Sequence, residues 1–271
     1  MFKMKYEIKK KYLPLGTPGK KCRRQGKKMT DCLFIVAHDT GNPKSTALNN
    51  VSYYTDSFYD DWAAAHIFVD DNEIIECIPW LTVEDKKMEK ANHVLYNVPG
   101  DNEMYGHDSN DYAGGIELCY GGKIDPIEAY KRYVWVTAYA CYKHGLDPAK
   151  KIVGHYTLDP KRKTDPKSGL FKSLGITFEQ YIKDVVNEYR DCTIVEGEEK
   201  MVEDLKKEIE QLKKEIAEIK SMMVMEEVPS FAKVSVDKAV KMKIINTSKG
   251  NSYDFNRMLV VLDRAGVLGN K

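Results

Sequence analysis

Short apolar runs rich in β-branched residues alternate with amphipathic stretches from about Asp31 to Thr193. That alternation predicts a sheet covered by helices. The strand-like runs are Cys32–His38, Ala64–Val69, Ile74–Pro79, Tyr112–Tyr120 and Lys151–His155. Asp70-Asp71-Asn72 has turn composition between the second and third runs, so these two should form a hairpin. Asp125-Pro126-Ile127-Glu128 supplies an N-cap, a proline in the first helical position and a capping-box glutamate. The helix it opens should run to His144 and stop at Gly145. Thr177-Phe178-Glu179-Gln180 opens a further helix in the same way. The expected fold class is α/β, with a mixed central sheet flanked by helices.

After Cys192 the pattern changes. Glu196 to Met225 holds no proline and no aromatic residue, and its apolar positions alternate three and four apart. With Val202 as heptad position a, the a series is Val202, Ile209, Ile216 and Met223, and the d series is Leu205, Leu212 and Ile219. Mainly β-branched residues at a with mainly leucine at d favour a two-stranded parallel coiled coil. Position e holds Lys206, Lys213 and Lys220, and position g holds Glu208 and Glu215. In a parallel pair Glu208 faces Lys213 of the second copy and Glu215 faces Lys220. The alternative is a lone amphipathic helix packed on the preceding domain; the narrow seam, with no third apolar row, favours the coil. Val228 to Lys271 then reads as a small helical module, with Pro229 starting one helix and Phe231, Val236, Ala239 and Val240 available to pack. Asp254 caps a second helix, Phe255 to Ala265, closed by Gly266. The expected division is therefore 1–193, a catalytic domain; 196–226, a coiled-coil linker helix; and 228–271, a C-terminal module.

Composition narrows the setting. The 271 residues carry 42 lysines and arginines against 41 aspartates and glutamates, a net charge of +1 that gives no general case for a nucleic-acid partner. The basic stretch through Lys28 reads as a solvated edge. The six cysteines form no C-x-x-C pair, and Cys32, Cys77, Cys119 and Cys141 sit in apolar segments, as small core residues of a reducing compartment do. No charged-then-apolar leader follows Met1, and no apolar stretch is long enough to span a bilayer. The expectation is synthesis in a cytoplasm, without a signal peptide or a membrane partner.

The candidate chemistry lies at strand ends. His38 follows the apolar run Leu33–Ala37, and His155 follows Lys151-Ile152-Val153-Gly154. Asp165 comes after a basic, proline-containing connection that cannot be one uninterrupted helix. Two imidazoles and one carboxylate are the ligand set of a catalytic zinc with an open position. Hydrolysis also needs a proton acceptor and a donor for the developing oxyanion. Glu117, flanked by Ile116 and Leu118, either faces solvent or points into a site, and Lys163 lies close before Asp165. Of the other histidines, His66 reads as a packed, hydrogen-bonded strand residue; His93, His107 and His144 lie in polar or helix-end surroundings. On spacing alone any of these could replace a chosen ligand.

Taken together, Ile35-Val36-Ala37-His38-Asp39-Thr40-Gly41-Asn42, Ala65-His66-Ile67-Phe68-Val69, Gly115-Ile116-Glu117-Leu118 and Gly154-His155 with Asp159-Pro160 and Lys163-Thr164-Asp165-Pro166 resemble the type-2 N-acetylmuramoyl-L-alanine amidases. The likeness runs from about Asp31 to Tyr189, with the motifs in the family's order. It implies the type-2 amidase fold and a Zn2+ held by His38, His155 and Asp165. It also implies Glu117 as catalytic acid/base and Lys163 as the residue steadying the oxyanion. His66, Asn92 and His93 would be substrate contacts, His66 more as a second-layer residue. The chain departs from the family at Asn92-His93, where many relatives carry Trp-His, which weakens the transfer of substrate contacts to His93. The stretch Tyr253–Gly266 resembles the wall-binding module of endolysins from phages of clostridia and related Gram-positive hosts. The resemblance thus implies a phage endolysin that cleaves the amide between N-acetylmuramic acid and L-alanine of peptidoglycan, with a cell-wall polymer as second partner; the heptads add the expectation of a homo-oligomer, a parallel dimer, formed through 202–223. It would act at the wall after release from the host cytoplasm. The alternatives are an autolysin, or a non-catalytic peptidoglycan-recognition protein; the latter commonly lacks the third ligand, which Asp165 supplies here.

Overall fold

The computed structural model describes residues 1–193 and 196–269, so the last two residues of the expected C-terminal module lie outside the described residues. The chain divides into two compact units, Met1–Ile194 and Val195–Lys271.

The first unit is built on a six-stranded sheet. Its strands are β1 (Ile8–Lys10), β2 (Phe34–Asp39), β3 (Ile67–Val69), β4 (Ile74–Glu76), β5 (Ala113–Leu118) and β6 (Ile152–Gly154), in the spatial order β1-β4-β3-β5-β2-β6. All neighbouring pairs are parallel except β3 with β4. That exception is the expected hairpin. Its Asp70 accepts from Asn72 N and Glu73 N, each at 2.8 Å, and from Ala47 N at 2.8 Å, which ties the turn to helix α1 (Ala47–Asp56). Strand β1 has no apolar alternation and was not expected. It is a three-residue edge with two lysines, the composition that discourages further pairing.

The remaining helices of this unit are α2 (Pro99–Tyr105), α3 (Ser109–Tyr112), α4 (Pro126–Lys143), α5 (His155–Leu158), α6 (Lys167–Leu174) and α7 (Phe178–Thr193). Helix α4 begins and ends as the sequence predicts: Asp125 Oδ1 accepts from Ile127 N at 2.9 Å and Glu128 N at 3.2 Å, and Gly145 follows at φ +64°. The capping box is not closed, however. Glu128 pairs instead with Lys131 and Arg132, and Asp125 N donates to Asp71 Oδ2 at 3.1 Å.

Every residue of β2 is buried, because both faces of the sheet are covered. On one face Ile35 and Ala37 join Ile116, Leu118 and the α4 residues Tyr133 and Val136. On the other, Phe34 and Val36 pack with Ala113, Val153, Val94, Val98 and Leu158. The six cysteines are free and buried. The lysines of the basic N-terminal stretch are exposed, as a solvated edge requires, but its two arginines are not. Arg23 is buried, donates to Ser57 Oγ at 2.9 Å and lies 4.3 Å over the Tyr54 ring, while Arg24 grips Glu89 through two hydrogen bonds of 2.8 and 2.7 Å.

The second unit contains a long helix, α8 (Glu196–Met223), followed by α9 (Lys233–Lys241) and α10 (Tyr253–Arg264). A small core of Ala232, Val236, Ala239, Leu259 and Leu268 holds α9 and α10 together. Two expectations are corrected here. The cap of α10 is Ser252, whose Oγ accepts from Phe255 N at 3.1 Å, and Asp254 stands within the first turn. Phe231 is 47% exposed and lies outside that core, because Pro229 starts a short 3₁₀ turn before α9.

Candidate active site

The site follows from strand register. β2 and β5 are parallel with His38 opposite Glu117, and β2 and β6 are parallel with Ala37 opposite Gly154. Parallel neighbours in register turn the same face outward at paired positions, so His38 and Glu117 share the face of Phe34 and Val36. His155 lies one step past Gly154, beside His38, and opens α5. The chain then turns back: Asp159 N donates to His155 O at 3.0 Å, and Lys163 N donates to Asp159 O at 3.0 Å. Tyr156 N donates to Asp165 O at 2.9 Å, which brings Asp165 up to His155.

As a result Asp165 Oδ2 stands 3.0 Å from His38 Nδ1 and 3.1 Å from His155 Nδ1. The three ligand-type atoms lie within 4.8 Å of one another. Their chemistry suits a metal ion: two imidazole nitrogens and a carboxylate oxygen converge from buried or nearly buried side chains, with the fourth side facing a cavity. That cavity, about 320 Å³, is walled by Glu117, Lys163, Asn92, His93, Thr40 and Tyr54 among others. His38 is held from behind, where Tyr133 Oη donates to its carbonyl at 3.0 Å.

Electrostatics set the protonation. Burial lowers the His38 imidazole to about 4, against the pull of Asp165. Burial also works against ionisation of Asp165, but the two imidazoles beside it, His155 and His38, outweigh that and hold the carboxyl well below the usual range. Glu117 goes the other way. Burial first, then the charges of Asp165 and Asp39, push its carboxyl well above the usual range, and Lys163 offsets only part of this. Its Oε2 is shielded from solvent and has no hydrogen-bond partner among the described residues. An acid of that kind, beside a ligand set in a cavity, is a candidate for proton transfer.

The family model for N-acetylmuramoyl-L-alanine amidase matches residues 28–168, a span that contains all five of these side chains. The chain belongs to the N-acetylmuramoyl-L-alanine amidase family. The amidase BlyA of Bacillus subtilis (strain 168) is 30% identical over 167 residues, which cover 55% of this chain and 40% of that protein. A probable N-acetylmuramoyl-L-alanine amidase of Bacillus licheniformis is 30% identical over 146 residues, covering 51% of this chain and 38% of that protein. The chain thus matches about two fifths of the length of these curated relatives. Among solved structures, the Staphylococcus aureus hydrolase AmiA aligns with a TM-score of 0.51 at 22% identity, covering 69% of this chain and 85% of that one, a likeness of fold.

This amidase-family site contains more than the sequence disclosed. His66 is not positioned to touch a substrate: it is wholly buried, its Nδ1 accepts from Gly115 N at 3.0 Å and its Nε2 donates to Glu89 O at 3.0 Å. Asn92 stands at the rim, and His93 lines the wall with both ring nitrogens engaged. His144, at the end of α4, stacks on Trp80 at 5.6 Å and 12°. Asp39 was overlooked. Its Oδ2 accepts from Gly169 N at 2.8 Å and Ser168 Oγ at 3.1 Å, fastening α6 to the end of β2. The only sequence signal for it is an acid at the end of an apolar strand. A second hollow of about 520 Å³ shares Ala63 and Asn92 with the first and presents the exposed rings of Trp62 and Tyr96.

Proposed function

We propose that this chain is a zinc-dependent N-acetylmuramoyl-L-alanine amidase of the endolysin kind, hydrolysing the amide between N-acetylmuramic acid and the L-alanine of the stem peptide. The observation that carries this reading is the meeting of His38, His155 and Asp165 around an open side, with the unpartnered Glu117 carboxyl facing the same cavity. Zinc, when bound, would supply a Lewis acid for the scissile carbonyl and lower the pKa of water. Glu117 takes the proton of the attacking water and returns it to the departing amine, two transfers that a carboxyl facing this cavity can serve. Lys163 brings an ammonium to the cavity for the charge that develops on the carbonyl oxygen. The exposed Trp62 and Tyr96 rings offer apolar faces to the substrate beyond the scissile bond.

Mass analysis of products from a defined muropeptide tests the bond. The expected pair is a peptide with a free N-terminal L-alanine and a glycan with a free lactyl carboxylate; glycosidic or internal peptide cleavage would overturn the assignment. Activity should vanish with a chelator and return with zinc. Glu117→Ala should retain stoichiometric zinc and lose at least ~10²-fold in rate. Full lysis by the zinc-loaded variant would remove Glu117 from the chemistry.

The rest of the reading concerns delivery. Residues 228–271 act as a cell-wall anchor, 202–223 pair two copies in parallel, and the enzyme is made in a host cytoplasm and reaches the wall after release. Deletion of 228–271 should leave muropeptide cleavage intact and abolish co-sedimentation with purified walls; undiminished co-sedimentation would sink the anchor.

A further inference from the structure

We propose that His93 is a positioning residue that fixes the tautomer of His38 and so presents its Nδ1, not its Nε2, to the metal; this rests on the zinc-site reading above. His93 Nε2 lies 3.1 Å from the carbonyl oxygen of Ala113. A carbonyl can only accept, so that nitrogen carries the proton. His93 makes no hydrogen bond to a carboxylate among the described residues, so nothing favours a second proton on the ring. Its Nδ1 is then a bare acceptor, and it stands 3.0 Å from His38 Nε2. His38 Nε2 must therefore be the donor. That leaves the lone pair of His38 on Nδ1, the atom 3.0 Å from Asp165 Oδ2 and on the side of His155. One backbone carbonyl thus sets the state of a metal ligand through two imidazoles in series, the outer-layer arrangement that orients ligating histidines in metal sites.

Strand β5 is shaped for this. A Cβ on Gly115 would lie 2.7 Å from His93 Cγ and 2.9 Å from its Nδ1, so only glycine leaves room for the ring against the strand. Ala113, Gly115 and Glu117 therefore act together, as the carbonyl that anchors His93, the gap that admits it and the carboxyl beyond it. The His38 and His93 ring planes are perpendicular with centroids 5.2 Å apart, and the 3.0 Å separation of Nε2 and Nδ1 puts both nitrogens close to the line of centroids, where the Nε2–H of one meets the in-plane lone pair of the other.

The test uses the full chain and does not need catalysis. Imidazole ¹⁵N shifts of the zinc-loaded protein should show His93 protonated at Nε2 alone, and His38 protonated at Nε2 with Nδ1 on the metal. His93 protonated at Nδ1, or His38 bound through Nε2, would overturn the proposal. In chelator competition, His93→Phe should raise the zinc Kd roughly 10- to 100-fold. His93→Gln, whose Oε1 can accept from His38 Nε2, should recover part of the loss. An unchanged Kd in a folded His93→Phe protein would also overturn it. Should that variant not fold, the ¹⁵N measurement on the wild type still decides. Wild-type protein that binds no zinc would sink the metal reading, and the His93 tautomer is then read on the zinc-free chain; wild-type binding with His93→Phe unchanged would sink this inference alone.

Discussion

His66 shows how a residue at the edge of a site differs from one inside it. It is wholly buried, and burial lowers its imidazole to about 4, with only partial opposition from its hydrogen bond to the Glu89 carbonyl. The folded chain therefore binds that proton less readily than the unfolded chain, whose histidine has its ordinary value near 6.5. Stability from this group is complete above about pH 6.5 and is lost as the pH falls towards about 4, by roughly 3 kcal/mol at most. In a proton NMR titration the His66 ring of the zinc-free protein should move near pH 4; a midpoint near 6.5 would show that the ring is not sealed in. At this scale His38 and His155 could be picked out from sequence as candidates because imidazoles at the ends of apolar strands are conspicuous, whereas roles for Glu117 and Lys163 came from the resemblance of their motifs. Asp39 and His93 could not be given roles in this way. Their parts are defined by atoms far along the chain, Gly169 N for one and the Ala113 carbonyl for the other.

At the scale of elements, β5 was legible as a strand but its two glycines were not explained. Gly114 faces Trp80 and Gly115 faces His93, on opposite sides of the sheet. A Cβ at Gly114 would run into the six-membered ring of Trp80, which is itself fully buried. β5 is paired on both sides, by β3 and β2, so the backbone cannot move away. Gly114→Ala should then cost about 1–3 kcal/mol, the usual range for forcing an extra carbon into a packed core, and lower the melting temperature of the first unit by several degrees. An unchanged melting temperature would mean that Trp80 repacks freely. The same strand shows why register escapes a single sequence. Apolar runs fix where β2, β5 and β6 lie, but the pairing of His38 with Glu117 depends on a parallel alignment across long connections. The hairpin and the α4 caps were readable because their partners are local. β1 and the structural arginines were not, since their partners, β4, Ser57 and Glu89, are remote.

At the scale of the whole molecule, the proposed pairing turns on α8. Along it Val202, Leu205, Ile209, Leu212, Ile216 and Ile219 are 38–57% exposed, a continuous apolar seam on one chain. In the proposed parallel pair a second copy would cover that seam and set Glu208 against Lys213 and Glu215 against Lys220; an antiparallel copy would set lysine against lysine and glutamate against glutamate. Charge is thus the argument for the parallel sense of that proposal. Light scattering on the full chain should give a dimer, and Ile209→Asp with Leu212→Asp should give a monomer with unchanged activity on soluble muropeptides. Glu208→Lys with Glu215→Lys should weaken self-association, and so should Lys213→Glu with Lys220→Glu. Mixing these two variants should restore a dimer containing one of each, because every g residue then meets an opposite charge at e of the other chain. A monomeric wild type would sink the pairing, and charge-reversed variants that self-associate as tightly as the wild type would sink its parallel sense. If the wall-anchor reading holds, the pair carries two anchors for two active sites. Attachment to an insoluble wall then gains from the second contact without any change in the affinity of either module. The monomeric variant should accordingly lose wall retention at low protein concentration while keeping its rate on muropeptides, and equal retention by both would show that pairing serves some purpose other than attachment.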